Sequence, residues 1–179
     1  MTIISPSDSL ETVKALEASV NSNKSIYIRL TGSSNNPIVN GVDYKFEIGK
    51  SIQLREGKDI TIFSAGAMVY NCLEAAKKLN EKNISCSVIN MHTIKPIDKE
   101  AIKKACDENK IIVSVEEHNV IGGLGSAIAE YKATLSNSPK QLIIGVDDFY
   151  SKGGSYKFLQ EKHGLSSDKI VDNILQNLK

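Results

Sequence analysis

The sequence predicts a three-layer α/β/α fold with a mainly parallel sheet. Short apolar runs without strict alternation recur along the chain, at residues 59–64, 87–91, 111–115 and 142–146. The segments between these runs carry apolar residues at helical spacing. Such runs are typical of strands buried on both faces, and strands that alternate with helices form βαβ units.

The first 42 residues are predicted to hold one helix and one strand. Asp8 and Glu11 have the spacing of a capping box, and an apolar stripe that includes Val13 and Leu16 follows them. Residues 26–30 are predicted to form a short strand. The segment 31–42 is rich in Ser, Asn and Gly, which is typical of a loop or linker. We therefore predict a partial first domain over residues 1–42.

The second predicted domain spans residues 43–179. Short strand-like pieces flank Gly49, and the four apolar runs follow at regular intervals. Gly66 precedes a predicted helix, Asp98 is predicted to cap the next one, and a third carries the apolar stripe Leu124, Ile128, Tyr131 and Leu135. A last helix is predicted from about residue 167.

Composition excludes several classes of protein. The 22 Lys and Arg residues against 21 Asp and Glu leave a net charge of +1, so no field of one sign is available to attract nucleic acid or an acidic membrane. The three cysteines show no C-x-x-C spacing, and no apolar run approaches 18 residues. We expect a soluble, cytoplasmic protein with buried free thiols.

The segment EEHNVIGGLGSA, residues 116–127, contains the strongest candidates for a functional site. Glu117 and His118 lie at the carboxyl end of a predicted parallel strand, where α/β domains place their ligand sites. Neighbouring strand residues point to opposite faces, so Glu116 and Glu117 cannot both reach one reacting atom without a bend. Judged on geometry, His118 is better explained as an interface hydrogen-bonding residue than as a catalyst.

The glycines of this segment match a dinucleotide fingerprint only in part. Ile128 stands where the third glycine or alanine belongs, and no acidic residue follows at the required distance. The glycines are better explained by a tight turn that brings a helix close to the sheet. Metal-ligand spacings, the P-loop and the nucleophile elbow are absent from the sequence. His92, at the end of the second apolar run, is expected either to face the same crevice or to pack in a loop.

Several segments, taken together, resemble the C-terminal part of the transketolase family, which includes deoxyxylulose-phosphate synthase and the two-subunit transketolases. The resemblance runs in order through nearly the whole chain. The segments that carry it are residues 4–8 (ISPSD), 26–30 (IYIRL), 48–50 (IGK), 54–62 (LREGKDITI), 88–96 (VINMHTIKP) and 115–126 (VEEHNVIGGLGS).

The resemblance implies that the reaction centre is formed elsewhere. Family members use thiamine diphosphate and Mg to transfer two-carbon ketol or related acyl-anion units, and the cofactor lies between a diphosphate-binding and a pyrimidine-binding module. Residues 1–42 are similar to the end of the pyrimidine-binding module, and residues 43–179 to the C-terminal domain. The chain is thus expected to bind no cofactor alone and to have no catalytic or metal-binding residue of its own.

The resemblance also implies roles for individual residues. Arg29 is the candidate for contacting a substrate phosphate, whereas many relatives carry a further arginine at the position of Gly32. That change makes a phosphate-free acceptor or an altered sugar plausible. The remaining candidates are expected to shape the interfaces with the missing modules and with a second copy: His92, Glu117, His118, Gly122, Gly123 and Gly125.

Three hypotheses follow. In the first, the chain is the C-terminal portion or subunit of a transketolase-type enzyme, needs the missing N-terminal modules, and forms a homo-oligomer, expected to be a dimer. In the second, it is a stand-alone domain that binds an anion or nucleotide at the helix N-termini near Gly66 or Gly123. In the third, it is an assembly subunit without a ligand.

Overall fold

The computed structural model describes residues 1–32, 36–41 and 43–178. Val42 and Lys179, which end the two predicted domains, lie outside the described residues. Helices and strands follow one another in this order: β1 Thr2–Ile4, α1 Ser9–Val20, β2 Ile26–Ile28, β3 Ile52–Arg55, β4 Ile60–Ser64, α2 Met68–Asn80, β5 Cys86–Asn90, β6 Thr93–Lys95, α3 Lys99–Glu108, β7 Ile111–Asn119, α4 Leu124–Lys132, β8 Lys140–Val146, α5 Tyr156–Lys162, α6 Ser167–Asn177.

The main sheet has five strands in the order β3-β5-β4-β7-β8. β4 runs parallel to β5 and to β7, and β7 runs parallel to β8, while β3 pairs antiparallel with β5 at the edge. Every residue of β4 and β5 is buried, because both faces of these central strands are covered. The predicted α/β fold with a mainly parallel sheet is confirmed.

Helices cover both faces of this sheet and complete the three layers. One apolar cluster includes side chains of α2 and α6 together with Ile62 and Val113 of the sheet. The cluster on the other face includes side chains of α3 and α4 with Phe63 and Ile112. Ile62 and Phe63, and likewise Ile112 and Val113, are sequence neighbours that point to opposite faces. This alternation explains why the runs are apolar throughout.

A second, three-stranded sheet has the order β2-β1-β6. β1 and β2 are parallel and are joined through α1, whereas β6 pairs antiparallel with β1. β6 belongs to the second predicted domain, so this sheet crosses the position predicted for the domain boundary. The boundary itself stays a prediction.

A buried carboxylate joins α1 to the main sheet. Asp8 accepts a hydrogen bond from the Glu11 amide at 2.8 Å and caps α1, as the sequence predicts. The Glu11 side chain is fully buried and accepts from the Ser7 amide at 2.7 Å and from Asn90 Nδ2, at the end of β5, at 2.9 Å. The Tyr44 hydroxyl lies 3.3 Å from the same carboxylate.

A second buried carboxylate begins α4. Glu116 accepts hydrogen bonds from the Leu124 amide at 2.6 Å and the Gly125 amide at 2.8 Å, which are the first amides of that helix. The positive end of the helix dipole stabilises this negative charge. A Cβ on Gly123 would lie 1.9 Å from Glu116 Oε2, and Gly122 has a φ of +75°, so the turn requires both glycines.

Within the described residues, none of the helices is both long enough and apolar enough to span a membrane.

We predict that Glu11→Gln destabilises the fold by about 2 kcal/mol near neutral pH, because the amide NH₂ would face groups that are themselves donors. Burial raises the pKa of Glu11 above its ordinary value of 4.5, more than hydrogen bonds from Ser7 and Asn90 lower it. A raised folded-state pKa means that the contribution of Glu11 to stability falls as pH rises through and above 4.5.

Urea denaturation of the wild type and of Glu11→Gln, between about pH 4 and pH 7, measures this difference directly. The free-energy gap between the two proteins should narrow as pH rises. A gap that widens with pH would contradict the predicted direction.

We also predict that Gly123→Ala lowers the free energy of unfolding by about 3 kcal/mol, because the new methyl group displaces the Glu116 carboxylate from its two amide donors. Gly153→Ala is the matched control, since a Cβ at Gly153 meets nothing within 4 Å. Thermal and chemical denaturation of both variants tests the expectation. Equal stability of the two variants would show that Glu116 does not need this space.

Candidate functional site

A cavity of about 210 Å³ lies where the small sheet meets the carboxyl end of β7. The small sheet contributes Ile3 and Tyr27, Arg29 follows β2 directly, and the end of β7 contributes Glu116, Glu117 and His118. Gly122 and Gly123 of the turn before α4 complete its wall. Strand ends of a parallel sheet are the usual position of ligand sites in α/β domains. We call this cavity the crevice.

The two adjacent glutamates have different partners. The Glu116 carboxylate is buried against α4, whereas Glu117 Oε2 accepts a hydrogen bond at 2.7 Å from the Tyr156 hydroxyl at the start of α5. Both glutamates line the crevice, but their carboxylates bind different helices, α4 and α5. Burial raises the pKa of Glu116, and the hydrogen bonds from Gly125 and Leu124 oppose that rise.

Arg29 supplies a half-buried cation to the crevice. Its Nη2 donates a hydrogen bond at 2.8 Å to the main-chain carbonyl of Glu117. The bond joins the end of the small sheet to the end of β7, so both walls of the crevice share one contact. A guanidinium presents several donors in a fixed fork, which suits a carboxylate, phosphate or sulfonate group.

The His118 side chain is 45% exposed and lies on the crevice rim. Its Nδ1 lies 2.7 Å from the Asn119 carbonyl, so this nitrogen carries the donor proton, and 3.9 Å from Glu116 Oε2. The ring therefore presents Nε2 as the nitrogen that remains for another partner. Its predicted interface role stays a prediction.

His92 lies outside the residues that line the crevice. Its ring is buried, stacks on Phe46 at a centroid distance of 4.2 Å, and has Nδ1 3.0 Å from Thr93 Oγ1. Burial lowers its pKa to about 4, so the ring is neutral near pH 7. The His92 carbonyl accepts from the Ser5 amide at 2.8 Å. Of the two positions expected for His92, the structure shows a packed loop residue.

Sequence reasoning missed two residues that shape the site. Tyr156 follows a Gly-Gly-Ser segment without any periodic signal, and its contact with Glu117 spans 39 residues. Glu116 was foreseeable, because a carboxylate shortly before a glycine-rich helix start can cap that helix. Gly125 contributes an amide to Glu116, and a Cβ there would lie 2.6 Å from the Ile143 side chain, so its role is in packing.

The helix N-termini considered for anion binding already have partners within the chain. The α4 amides bind Glu116, and the Gly66 amide, just before α2, donates to the Ser5 carbonyl at 3.1 Å. In the part of the chain that the structure describes, no three His, Cys, Asp or Glu side chains cluster closely enough to bind a metal ion.

The cysteines do not add a nucleophile to this site. Cys72, Cys86 and Cys106 are all free and buried. Burial raises the pKa of the Cys72 and Cys86 thiols to about 12, so both remain protonated near pH 7. What the described residues offer chemically is a cationic wall, a histidine on its rim and a rigid glycine turn.

Comparison with known proteins identifies relatives along the whole chain. Residues 49–170 match the model of the transketolase C-terminal domain. An apulose-4-phosphate transketolase subunit of Phocaeicola vulgatus is 35% identical over 180 residues, covering 100% of this chain and 57% of the relative. The 6-deoxy-6-sulfo-D-fructose transketolase subunit SqwH of Clostridium sp. is 38% identical over 172 residues, covering 96% and 52%.

A solved structure agrees with the sequence matches. A split gene transketolase, described as an inactive β4 tetramer, superposes with a TM-score of 0.90 at 36% identity, covering 98% of this chain and 56% of that one. The chain thus spans a little over half the length of these relatives. With a family model matched over most of its residues and relatives above 30% identity over its full length, the chain belongs to the transketolase family and carries the C-terminal domain of that family.

Proposed function

We propose that this chain is the C-terminal portion or subunit of a thiamine-diphosphate-dependent transketolase, and that it becomes catalytic only together with the N-terminal modules. The reaction class is transfer of a two-carbon ketol unit between sugars, for which the cofactor supplies the carbanion chemistry. The residues of this chain shape one side of the substrate site. Its proposed location is the cytoplasm.

The observation that carries this proposal is an apolar surface on the part of the chain before the family match. Val13, Leu16 and Val20 follow helical spacing on α1 and are 52%, 52% and 84% exposed. Tyr27 on β2, which pairs parallel with β1, is 50% exposed as well. This surface fits a partner that completes the module.

Relatives support the same assembly. The Phocaeicola protein is named as one subunit of its transketolase, and the solved split-gene relative is a tetramer of β chains described as inactive. We extend both features to this chain, which would associate with a separate N-terminal partner and with a second copy. Neither nucleic acid nor a membrane is a proposed partner.

We propose that the substrate carries an anionic group that Arg29 binds. The two named relatives act on a sugar phosphate and a sulfosugar, both of which carry such a group. Gly32 replaces the additional arginine expected from the family resemblance, and a Cβ at Gly32 would meet nothing within 4 Å. The space left there suits a sugar held by one arginine rather than two.

The second hypothesis, a stand-alone anion-binding domain, is not favoured. Its two candidate helix N-termini already donate to Glu116 and to the Ser5 carbonyl. The subunit role also explains the crevice and the exposed face of α1, which a stand-alone domain leaves without a purpose.

Activity measurements test the proposal. The chain alone, with thiamine diphosphate and Mg²⁺, should neither bind the cofactor in calorimetry nor transfer a ketol unit from a ketose phosphate. Addition of a transketolase N-terminal subunit from the same organism should restore both. Tight cofactor binding or turnover by the isolated chain would overturn the proposal.

A substitution tests the apolar surface. Leu16→Asp should weaken association with the N-terminal subunit about tenfold or more, because it places a charge within an apolar interface. It should change the stability of the isolated chain by only about 0.5 kcal/mol, since Leu16 is exposed. Leu178→Asp, at an exposed leucine on the opposite terminus, is the control. Equal association of both variants, measured by analytical ultracentrifugation, would place the interface elsewhere.

A further inference from the structure

Two hydrogen bonds connect α5 to the cation of the crevice. The Tyr156 hydroxyl donates to Glu117 Oε2 at 2.7 Å, and the carbonyl of the same glutamate accepts from Arg29 Nη2 at 2.8 Å. Glu117 therefore lies between a residue of the C-terminal segment and the proposed anion-binding residue.

Glu117 lies in an irregular part of β7. Val115 pairs with Ile144 and Asn119 pairs with Val146, so the three residues 116–118 face Gly145 alone. Pairing between β7 and β4 ends at Val115. Bulges re-aim groups out of the regular ladder, and here the Glu117 carbonyl accepts from a side chain. The position of that carbonyl is thus not set by regular strand pairing alone.

Tyr156 is suited to fix Glu117. The side chain is half-buried, and burial, followed by its interaction with Glu117, raises its pKa, so the phenol remains a donor through the neutral range. Its acceptor is a carboxylate, and hydrogen bonds to ionised acceptors are shorter and stronger than neutral ones. Ser155 caps α5 directly before Tyr156, and this cap fixes the position of the Tyr156 main chain.

We infer that Tyr156 is a positioning residue for Arg29, acting through Glu117. The inference rests on the proposed function, in which Arg29 binds the anionic group of the substrate. Contact between α5 and Glu117 keeps the Glu117 carbonyl in place, and this carbonyl orients the guanidinium toward the crevice. The segment after β8 thereby helps to determine how the substrate anion is held.

Guanidinium NMR of the isolated chain tests the inference without partner or substrate. Arg29 and Arg55 are the only arginines in the sequence, so their signals are assigned directly and Arg55, on β3, is an internal reference. Tyr156→Phe should accelerate solvent exchange of the Arg29 Nη protons several-fold and leave Arg55 unchanged. Tyr150→Phe, at a fully exposed tyrosine, is the control.

Two variants of Glu117 separate positioning from general loosening. Glu117→Gln keeps an oxygen that accepts from Tyr156, so Arg29 should stay protected as in the wild type. Glu117→Ala removes that acceptor and should match Tyr156→Phe. If Tyr156→Phe and Glu117→Ala both leave Arg29 exchange unchanged, the inference is wrong. If the exchange rate of the Arg55 protons rises as much as that of the Arg29 protons, the effect is general destabilisation and the inference is equally wrong.

In the enzyme assembled with its N-terminal subunit, Tyr156→Phe should raise KM for a sugar phosphate several-fold with little change in kcat. A fall in kcat with KM unchanged would contradict positioning of Arg29. Failure of the subunits to form an active enzyme would count against the proposed function alone, because the NMR experiment decides the role of Tyr156 independently.

Discussion

The buried carboxylate of Glu116 at the start of α4 is the constraint on which the crevice depends. It neutralises the first amides of the helix with a charge from the preceding strand. The space for this carboxylate exists only because Gly123 has no side chain. Strand, turn and helix are thereby joined across residues 116–125, and the same turn forms a wall of the crevice.

This internal capping also excludes one kind of ligand site. An N-terminal helix end that binds its own carboxylate cannot at the same time receive a phosphate from solution. The cation of the crevice comes from Arg29, which lies outside the family match and directly after β2 of the small sheet. A site built from two sheets in this way lies at a junction, which is consistent with a surface completed by another polypeptide.

The sequence predicts the main sheet well, because buried strands and amphipathic helices leave long, regular signals. The runs at β4, β5, β7 and β8 and the cap at Asp98 all match the structure. The strands β1 and β6 are three residues each, too short for any periodicity, and depend on pairing with each other across about 90 residues. The helix α5 is also too short for a periodic signal: it has seven residues, and none of them is buried.

For the site, local chemistry was predictable and distant contacts were not. The different partners of Glu116 and Glu117 agree with the expectation that neighbouring strand residues do not reach one atom, and the resemblance to a known family drew attention to Arg29. The burial of His92 under Phe46 and the contact of Tyr156 with Glu117 depend on how loops return to the sheet. Tertiary packing determines these loop paths, and residue types alone do not predict it.

The alternation along β7 limits how this segment can diverge. Insertion of a single residue between Ile111 and Glu116 would exchange the faces of the paired strand residues and displace Glu116 from the amides of α4. Insertion of two residues would restore the faces, but it would move the carboxylates of Glu116 and Glu117 along the strand and away from their hydrogen-bond partners. The length of this strand therefore determines whether its terminal carboxylate reaches the first amides of α4.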